Sequence, residues 1–107
     1  PEELASALEE AVACPLRIMQ QTQEGLALLS LVGCRCKRHL LSDLLVACEL
    51  LGAAFRGAHH IAWANLPLMR SEARLAVWAE ALSHTLETLE VEFQQVRAEL
   101  LERTTCP

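Results

Sequence analysis

Apolar residues recur along this chain at every third or fourth position in three long segments, the spacing of an α-helix. The pattern is most regular in the last segment, from about Leu66 to Arg103. Its apolar positions are Leu75, Trp78, Leu82, Leu86, Leu89, Phe93, Val96 and Leu100. This spacing predicts a long C-terminal helix with a coiled-coil-like stripe that contains one four-residue insertion.

The first segment predicts a helical region from Glu2 to about Val32, with Glu2 and Glu3 suited to a helix N-terminus. Proline removes a backbone donor and restricts the residue before it. We therefore predict a kink or break just before Pro15, with the proline opening a second piece. Gly33 is predicted to cap the end of that piece.

The second segment predicts a helix from Cys34 or Arg35 to Arg56, with residues 57–66 either prolonging it or forming a short helix of their own. Its residues are apolar on nearly all sides, which is typical of a helix surrounded by neighbours. The stretch from Leu41 to Leu45 also matches the LxxLL pattern of receptor-docking helices. Because the whole segment is apolar, these leucines are predicted to belong to the core.

Composition supports a helical bundle. Hydrophobic residues make up 52% of the 107 residues, whereas glycine and proline occur only four times each, so turns are few. We predict an all-α fold: an up-down antiparallel bundle of three to four helices with a long C-terminal helix, forming one domain over residues 1–107. Since the chain begins with proline and not methionine, we expect it to be excised from a longer protein.

Charge and apolar runs narrow the choice of partners and compartment. The net charge of −5 disfavours nucleic-acid backbones, and no apolar run is long enough to span a membrane. The cysteine count of five is odd, and Cys14 and Cys48 lie within helical apolar patterns, as free thiols do. We expect an intracellular protein, cytoplasmic or nuclear, with no nucleic-acid partner.

The segment GCRCKRH contains the candidate chemistry. Cys34, Cys36 and His39 are ligand types that zinc accepts, so a small helical metal-binding domain is the alternative function. However, residues two apart on a helix point in different directions, so we assign no metal and no cofactor. The cations Arg35, Lys37 and Arg38 predict an acidic contact, either with carboxylates of the last helix or on a partner.

No catalytic motif is evident in the sequence. A phosphate loop, an HExxH sequence and a nucleophile elbow are all absent. His59, His60 and Trp63 cluster, but adjacent histidines on a helix point about 100° apart and no carboxylate lies nearby. The sequence therefore predicts that the chain is not an enzyme.

These observations favour a protein interaction or assembly module, an adaptor or scaffold bundle. We predict that it docks an amphipathic partner helix or self-associates as a homodimer through the C-terminal helix. The residues predicted to contact the partner are Leu86, Leu89, Phe93, Val96, Leu100, Arg35, Lys37 and Arg38.

Overall fold

The structure, a computed structural model, describes residues 1–105 as three long α-helices joined by short turns. Helix α1 spans Glu2–Gly33, α2 spans Leu41–Asn65 and α3 spans Glu72–Thr105. Two 3-10 turns, Arg38–Leu40 and Leu66–Leu68, flank α2, and this part of the chain contains no strand. The predictions of an all-α fold and a long C-terminal helix are therefore confirmed, and the number of helices is three.

Contacts between helices give the order up, down, up. Gln23 and Glu92, each in the second half of its helix, are joined by a hydrogen bond of 2.9 Å, so α1 and α3 run parallel. Asn65, at the end of α2, donates to the carbonyl of Ala11 near the start of α1 at 3.2 Å, so α2 runs antiparallel to both. The bundle measures 61 × 19 × 17 Å, and its radius of gyration of 16.9 Å exceeds the roughly 13 Å of a compact domain of this length.

One apolar core runs the length of this rod. Phe55 of α2 and Phe93 of α3 meet edge to face at its centre, with ring centroids 5.9 Å apart. The arginine Arg56 lies over the Phe93 ring at 4.6 Å, so the ring is enclosed on two sides. The buried apolar residues are Val12, Met19, Leu26, Leu29, Leu41, Cys48, Phe55, Ala58, Ala62, Leu66, Leu82, Leu89, Phe93, Val96 and Leu100.

A kink or a break was predicted near Pro15; helix α1 continues through this residue, so a break with a second helix opening at Pro15 is wrong. The proline side chain is buried within the bundle, and the packing of its ring offsets the single backbone hydrogen bond that proline removes. The helix does end at Gly33, as predicted, but packing and not a left-handed backbone conformation requires glycine at this position. Within the described residues no glycine has a positive φ, and a Cβ at Gly33 would lie 2.7 Å from Leu100 Cδ2. Close approach of α3 explains the glycine.

The start of α2 was predicted about six residues too early. Residues 34–37 form a turn and the helix begins at Leu41. At its other end α2 continues to Asn65, with Gly57 inside the helix. The helix ends at Asn65, and Leu66 keeps helical backbone angles, φ −57° and ψ −45°, as the chain enters the 3-10 turn that contains Pro67. Ser71 starts α3 by accepting a hydrogen bond from the Arg74 amide at 3.3 Å.

Candidate functional sites

The connection between α1 and α2, residues 34–40, lies against the C-terminal end of α3. Arg38 Nη2 donates to the Thr104 carbonyl at 3.1 Å, and Arg103 Nη2 donates to the Cys36 carbonyl at 3.3 Å. The last carbonyls of a helix have no partner within it and carry partial negative charge. Of the three cations of this connection, Arg38 therefore contacts the negative end of α3, and none lies within α2 as the sequence suggested.

Glu87, Glu90 and Glu92 are the α3 carboxylates that could pair with these cations; Glu87 is exposed and forms no ion pair within residues 1–105, and the other two are engaged elsewhere. Glu90 accepts two hydrogen bonds from Arg56, at 2.6 and 2.9 Å, and these hydrogen bonds lower the pKa of Glu90. Glu92 accepts from Gln23. Arg35 and Lys37 are exposed and form no ion pair with any residue between 1 and 105. These two cations are thus open to solvent or to a partner.

The candidate metal ligands do not converge. Cys34 Sγ donates to the Leu31 carbonyl at 3.1 Å, whereas Cys36 Sγ is 4.0 Å from the Gly33 carbonyl and 3.9 Å from Arg103 Nη1. In the described range, no three His, Cys, Asp or Glu side chains are grouped so that they could hold a metal ion. The geometry therefore gives no support to the alternative of a metal-binding domain.

The apolar stripe of α3 lies inside the bundle. Leu89, Phe93, Val96 and Leu100 are buried and Leu86 is partly buried against them. The premise that this stripe is exposed is wrong, because α1 and α2 extend along most of α3 and cover it. Contact of these five residues with a partner helix is an untested prediction, and it would require the bundle to open.

A polar cluster at the opposite end of the rod was not foreseen. Glu9 accepts two hydrogen bonds from Arg74, at 2.9 and 3.1 Å, and one of 2.6 Å from the Trp78 indole. The hydrogen bonds from Arg74 are the main reason that the pKa of Glu9 is lowered. A cleft of about 210 Å³ beside it is walled by Leu4, Leu8 and Met69. Because these contacts join residues more than 60 positions apart, sequence spacing contains no signal for them.

The two histidines of α2 differ in environment, as their spacing predicted. His60 is exposed, whereas His59 is half-buried and stacks on the Trp63 ring at 5.4 Å. Burial lowers the pKa of His59, and the charge of His60 lowers it further. Both effects favour the neutral form of the His59 imidazole. A neutral histidine can accept a proton, but no carboxylate hydrogen bond orients this one among residues 1–105.

The largest feature missed from the sequence is an exposed apolar surface along the seam of α1 and α2. Gly25 and Leu51 mark the seam, since a Cβ at Gly25 would lie 3.1 Å from Leu51 Cδ1. Apolar side chains recur beside these positions at helical spacing, on the flank away from α3. We call this surface the α1–α2 face; it comprises Ile18, Leu28, Val32, Leu50, Ala54 and Ile61.

The most exposed apolar side chains of this face are exposed as much as the isolated Val77 and Val91 of α3, but they lie on one flank. Leu28, Leu50 and Ile61 are 59%, 65% and 59% exposed. By contrast, the outward side of α3 is mainly polar, with exposed Glu80, Glu87, Gln94 and Glu102. Contiguous exposed apolar surface on one side of a domain marks an interaction site. No helix of the described chain is both long and apolar enough to cross a membrane.

Comparison with known proteins identifies the class of the chain. A sequence model of the family described as formiminotransferase-cyclodeaminase matches residues 1–84. That range contains all of α1 and α2 and the first part of α3. Neither a search of curated proteins nor a search of solved structures gave a match.

The prediction that the chain is not an enzyme is wrong, because the matching family is a family of enzymes. The match indicates a helical domain of a larger enzyme. The sequence misled because it contains none of the catalytic motifs that were sought, and because the coiled-coil-like stripe of α3 is also typical of adaptor bundles.

Proposed function

The chain belongs to the formiminotransferase-cyclodeaminase family, and we propose that it is the domain through which an enzyme of this class self-associates. In this proposal two copies of the chain associate through the α1–α2 face. The observation that carries the proposal is the concentration of exposed apolar side chains on one flank, within the part of the chain that the family match covers.

The distribution of charged residues on the α1–α2 face favours a second copy of the chain as its binding partner. The positions between the apolar residues at the same helical spacing include Cys14, Gln21, Gly25 and Ala47, which are uncharged, whereas Asp43 and Glu10 lie one turn beyond Ala47 and Cys14. The middle of the face can therefore meet a copy of itself with little like-charge repulsion. Two-fold contacts of this kind, with the same patch on both subunits, are the most common in soluble oligomers.

The shape of the bundle supports the same arrangement. The two helices that form the face run side by side along a rod 61 Å long and 19 Å wide. Two such rods can place long apolar flanks together, which is how helices of separate chains form one larger bundle. The polar outward side of α3 would stay in water.

We test the proposal by sedimentation velocity over a range of protein concentrations. The parent chain is expected to dimerise, and Leu28→Glu combined with Leu50→Glu is expected to be monomeric. Val77→Glu combined with Val91→Glu is the matched control, because these valines of α3 are 57% and 58% exposed and lie outside the face. A monomeric parent at all concentrations, or equal disruption by both pairs, would refute the proposal.

We also infer that Arg35 and Lys37 contact acidic groups of a partner. Both are exposed and free of ion pairs within residues 1–105, whereas Arg38 is occupied by the Thr104 carbonyl. In the same experiment, Arg35→Gln with Lys37→Gln should weaken association at low salt and have little effect at high salt, since exposed charges are screened by salt. An effect that is independent of salt would contradict this role.

A further inference from the structure

Two thiols lie two residues apart in the turn that follows α1, and they differ in their surroundings. Cys34 is exposed, whereas Cys36 is partly buried with its Sγ 3.9 Å from the guanidinium of Arg103. The same guanidinium donates to the Cys36 carbonyl at 3.3 Å, so its position is fixed from two sides. Family membership and the assembly proposal leave this pair unexplained.

The geometry points to a thiol–disulfide exchange site: we propose that Cys36 and Cys34 react in turn with an anionic low-molecular-weight disulfide, such as oxidised glutathione. Cationic side chains in the same turn attract such a reagent. Arg103 Nη1 lies 3.9 Å from the sulfur that attacks, and its positive charge draws the anionic disulfide to that sulfur.

The exchange balances in two steps. The Cys36 sulfur attacks the disulfide, so a mixed disulfide forms on Cys36 and the first small thiolate leaves. The Cys34 sulfur then attacks Cys36, so a Cys34–Cys36 disulfide forms and the second small thiolate leaves. The two protein thiols lose two electrons and two protons, and the external disulfide is reduced to two thiols.

Local structure permits the second step. Residues two apart in a turn have Cα atoms within the separation that a disulfide spans. The Cys34 sulfur contacts the Leu31 carbonyl at 3.1 Å, and the Cys36 sulfur contacts the Gly33 carbonyl at 4.0 Å and Arg103 Nη1 at 3.9 Å. Rotation of the two side chains therefore breaks only weak contacts of the sulfur atoms. A disulfide closing so small a ring is strained, so reduced glutathione would reverse it readily.

The remaining described cysteines provide internal controls. Cys48 is buried, and burial raises the pKa of its thiol, so it should not react. Cys14 is exposed on α1 but has no neighbouring thiol in sequence. Accessibility alone therefore predicts reaction at Cys14 and Cys34, whereas the proposal predicts that Cys36 reacts first.

The test is a time course with oxidised glutathione, followed by intact-mass measurement and peptide mapping of the 107-residue chain carrying Cys106→Ser. We expect the loss of two hydrogens, mapped to Cys34 and Cys36. With Cys34→Ser added, one glutathionyl group should accumulate on Cys36. With Cys36→Ser added, Cys34 should react no faster than Cys14. Thermal unfolding followed by circular dichroism verifies that each serine variant is folded.

The role of the arginine is tested by a matched pair. Arg103→Gln should slow the first step on the order of three-fold, the effect of one partly exposed charge pair. Arg97→Gln, on the same helix but paired with Glu49, should leave the rate unchanged. Equal labelling of Cys36 and Cys14, a stable adduct on the parent chain without the Cys34–Cys36 disulfide, or equal rates in the two arginine variants would overturn the proposal.

Discussion

Replacing Gly52 with alanine should destabilise the chain although alanine is the better helix former. A Cβ at Gly52 would lie 2.6 Å from Phe93 Cε1 and 3.0 Å from Cζ, closer than carbon atoms pack. The Phe93 ring cannot simply turn away, because it lies edge to face with Phe55 and beneath the Arg56 guanidinium. The added methyl group must therefore displace the centre of the core.

The magnitude follows from two opposing effects. Gly→Ala inside a helix stabilises by about 1 kcal/mol, whereas overpacking a buried site costs about 1–3 kcal/mol. We expect Gly52→Ala to lower the free energy of unfolding by about 1 kcal/mol, within a range set by these two terms. Gly57→Ala is the control in the same helix, since a Cβ there meets nothing within 4 Å. It should raise the free energy of unfolding by about 0.5–1 kcal/mol.

The assay is urea unfolding followed by far-ultraviolet circular dichroism, with the midpoint and slope compared among the parent and the two variants. Opposite shifts in midpoint at equal slope would confirm that close packing at Gly52 outweighs helix propensity. If Gly52→Ala were as stable as the parent, or more stable, the contact between α2 and Phe93 would be wrong. A loss of stability in Gly57→Ala would show that propensity does not govern the exposed side of α2.

Two further predictions concern the interior and the response to pH. Leu89→Ala should lower the free energy of unfolding by about 2–5 kcal/mol. Leu101→Ala, at a more exposed position of the same helix, should change it by less than about 0.5 kcal/mol. Equal effects of the two variants in urea unfolding would contradict the burial of the stripe. The hydrogen bonds from Arg56 lower the pKa of Glu90 below its ordinary value of 4.5, so their stabilisation is present above pH 4.5 and is lost as the pH falls through the folded-state pKa. Glu90→Gln should therefore be less stable than the parent at neutral pH by no more than about 1 kcal/mol, and the difference should shrink in acid; a difference independent of pH would rule out this ion pair.

Helical content and the α3 stripe could be predicted because both depend on local periodicity. The apolar positions of α3 recur every three or four residues, and most of them pack inward. Periodicity does not show whether a stripe is covered by the chain's own helices or by a partner protein. Leu89 and Phe93 were therefore predicted to contact a partner, although α1 and α2 bury them. In α2 apolar residues occur on all sides, and the sequence alone could not show that Leu50 and Ile61 face outward.

Features that depend on distant contacts could not be predicted. Pro15 lies inside a helix because the bundle buries it, and burial is not visible in its neighbours along the chain. The cations at residues 35–38 were puzzling as the first turn of a helix. Of these, Arg38 donates to the Thr104 carbonyl, 66 positions later, and no local pattern reveals that contact. The enzyme family was likewise beyond reach of motif analysis, since this chain contains no recognised catalytic motif.

Because the described residues form three long helices, the first and last of these residues lie at opposite ends of the bundle. Pro1 lies with Met69 and Arg74 at one pole of the rod, and Thr104 lies with Arg38 at the other. Helix α3 alone rises about 50 Å along the axis. A polypeptide segment attached before residue 1 and another attached after residue 105 would thus emerge at opposite poles. The length of the bundle, 61 Å, would separate the two segments.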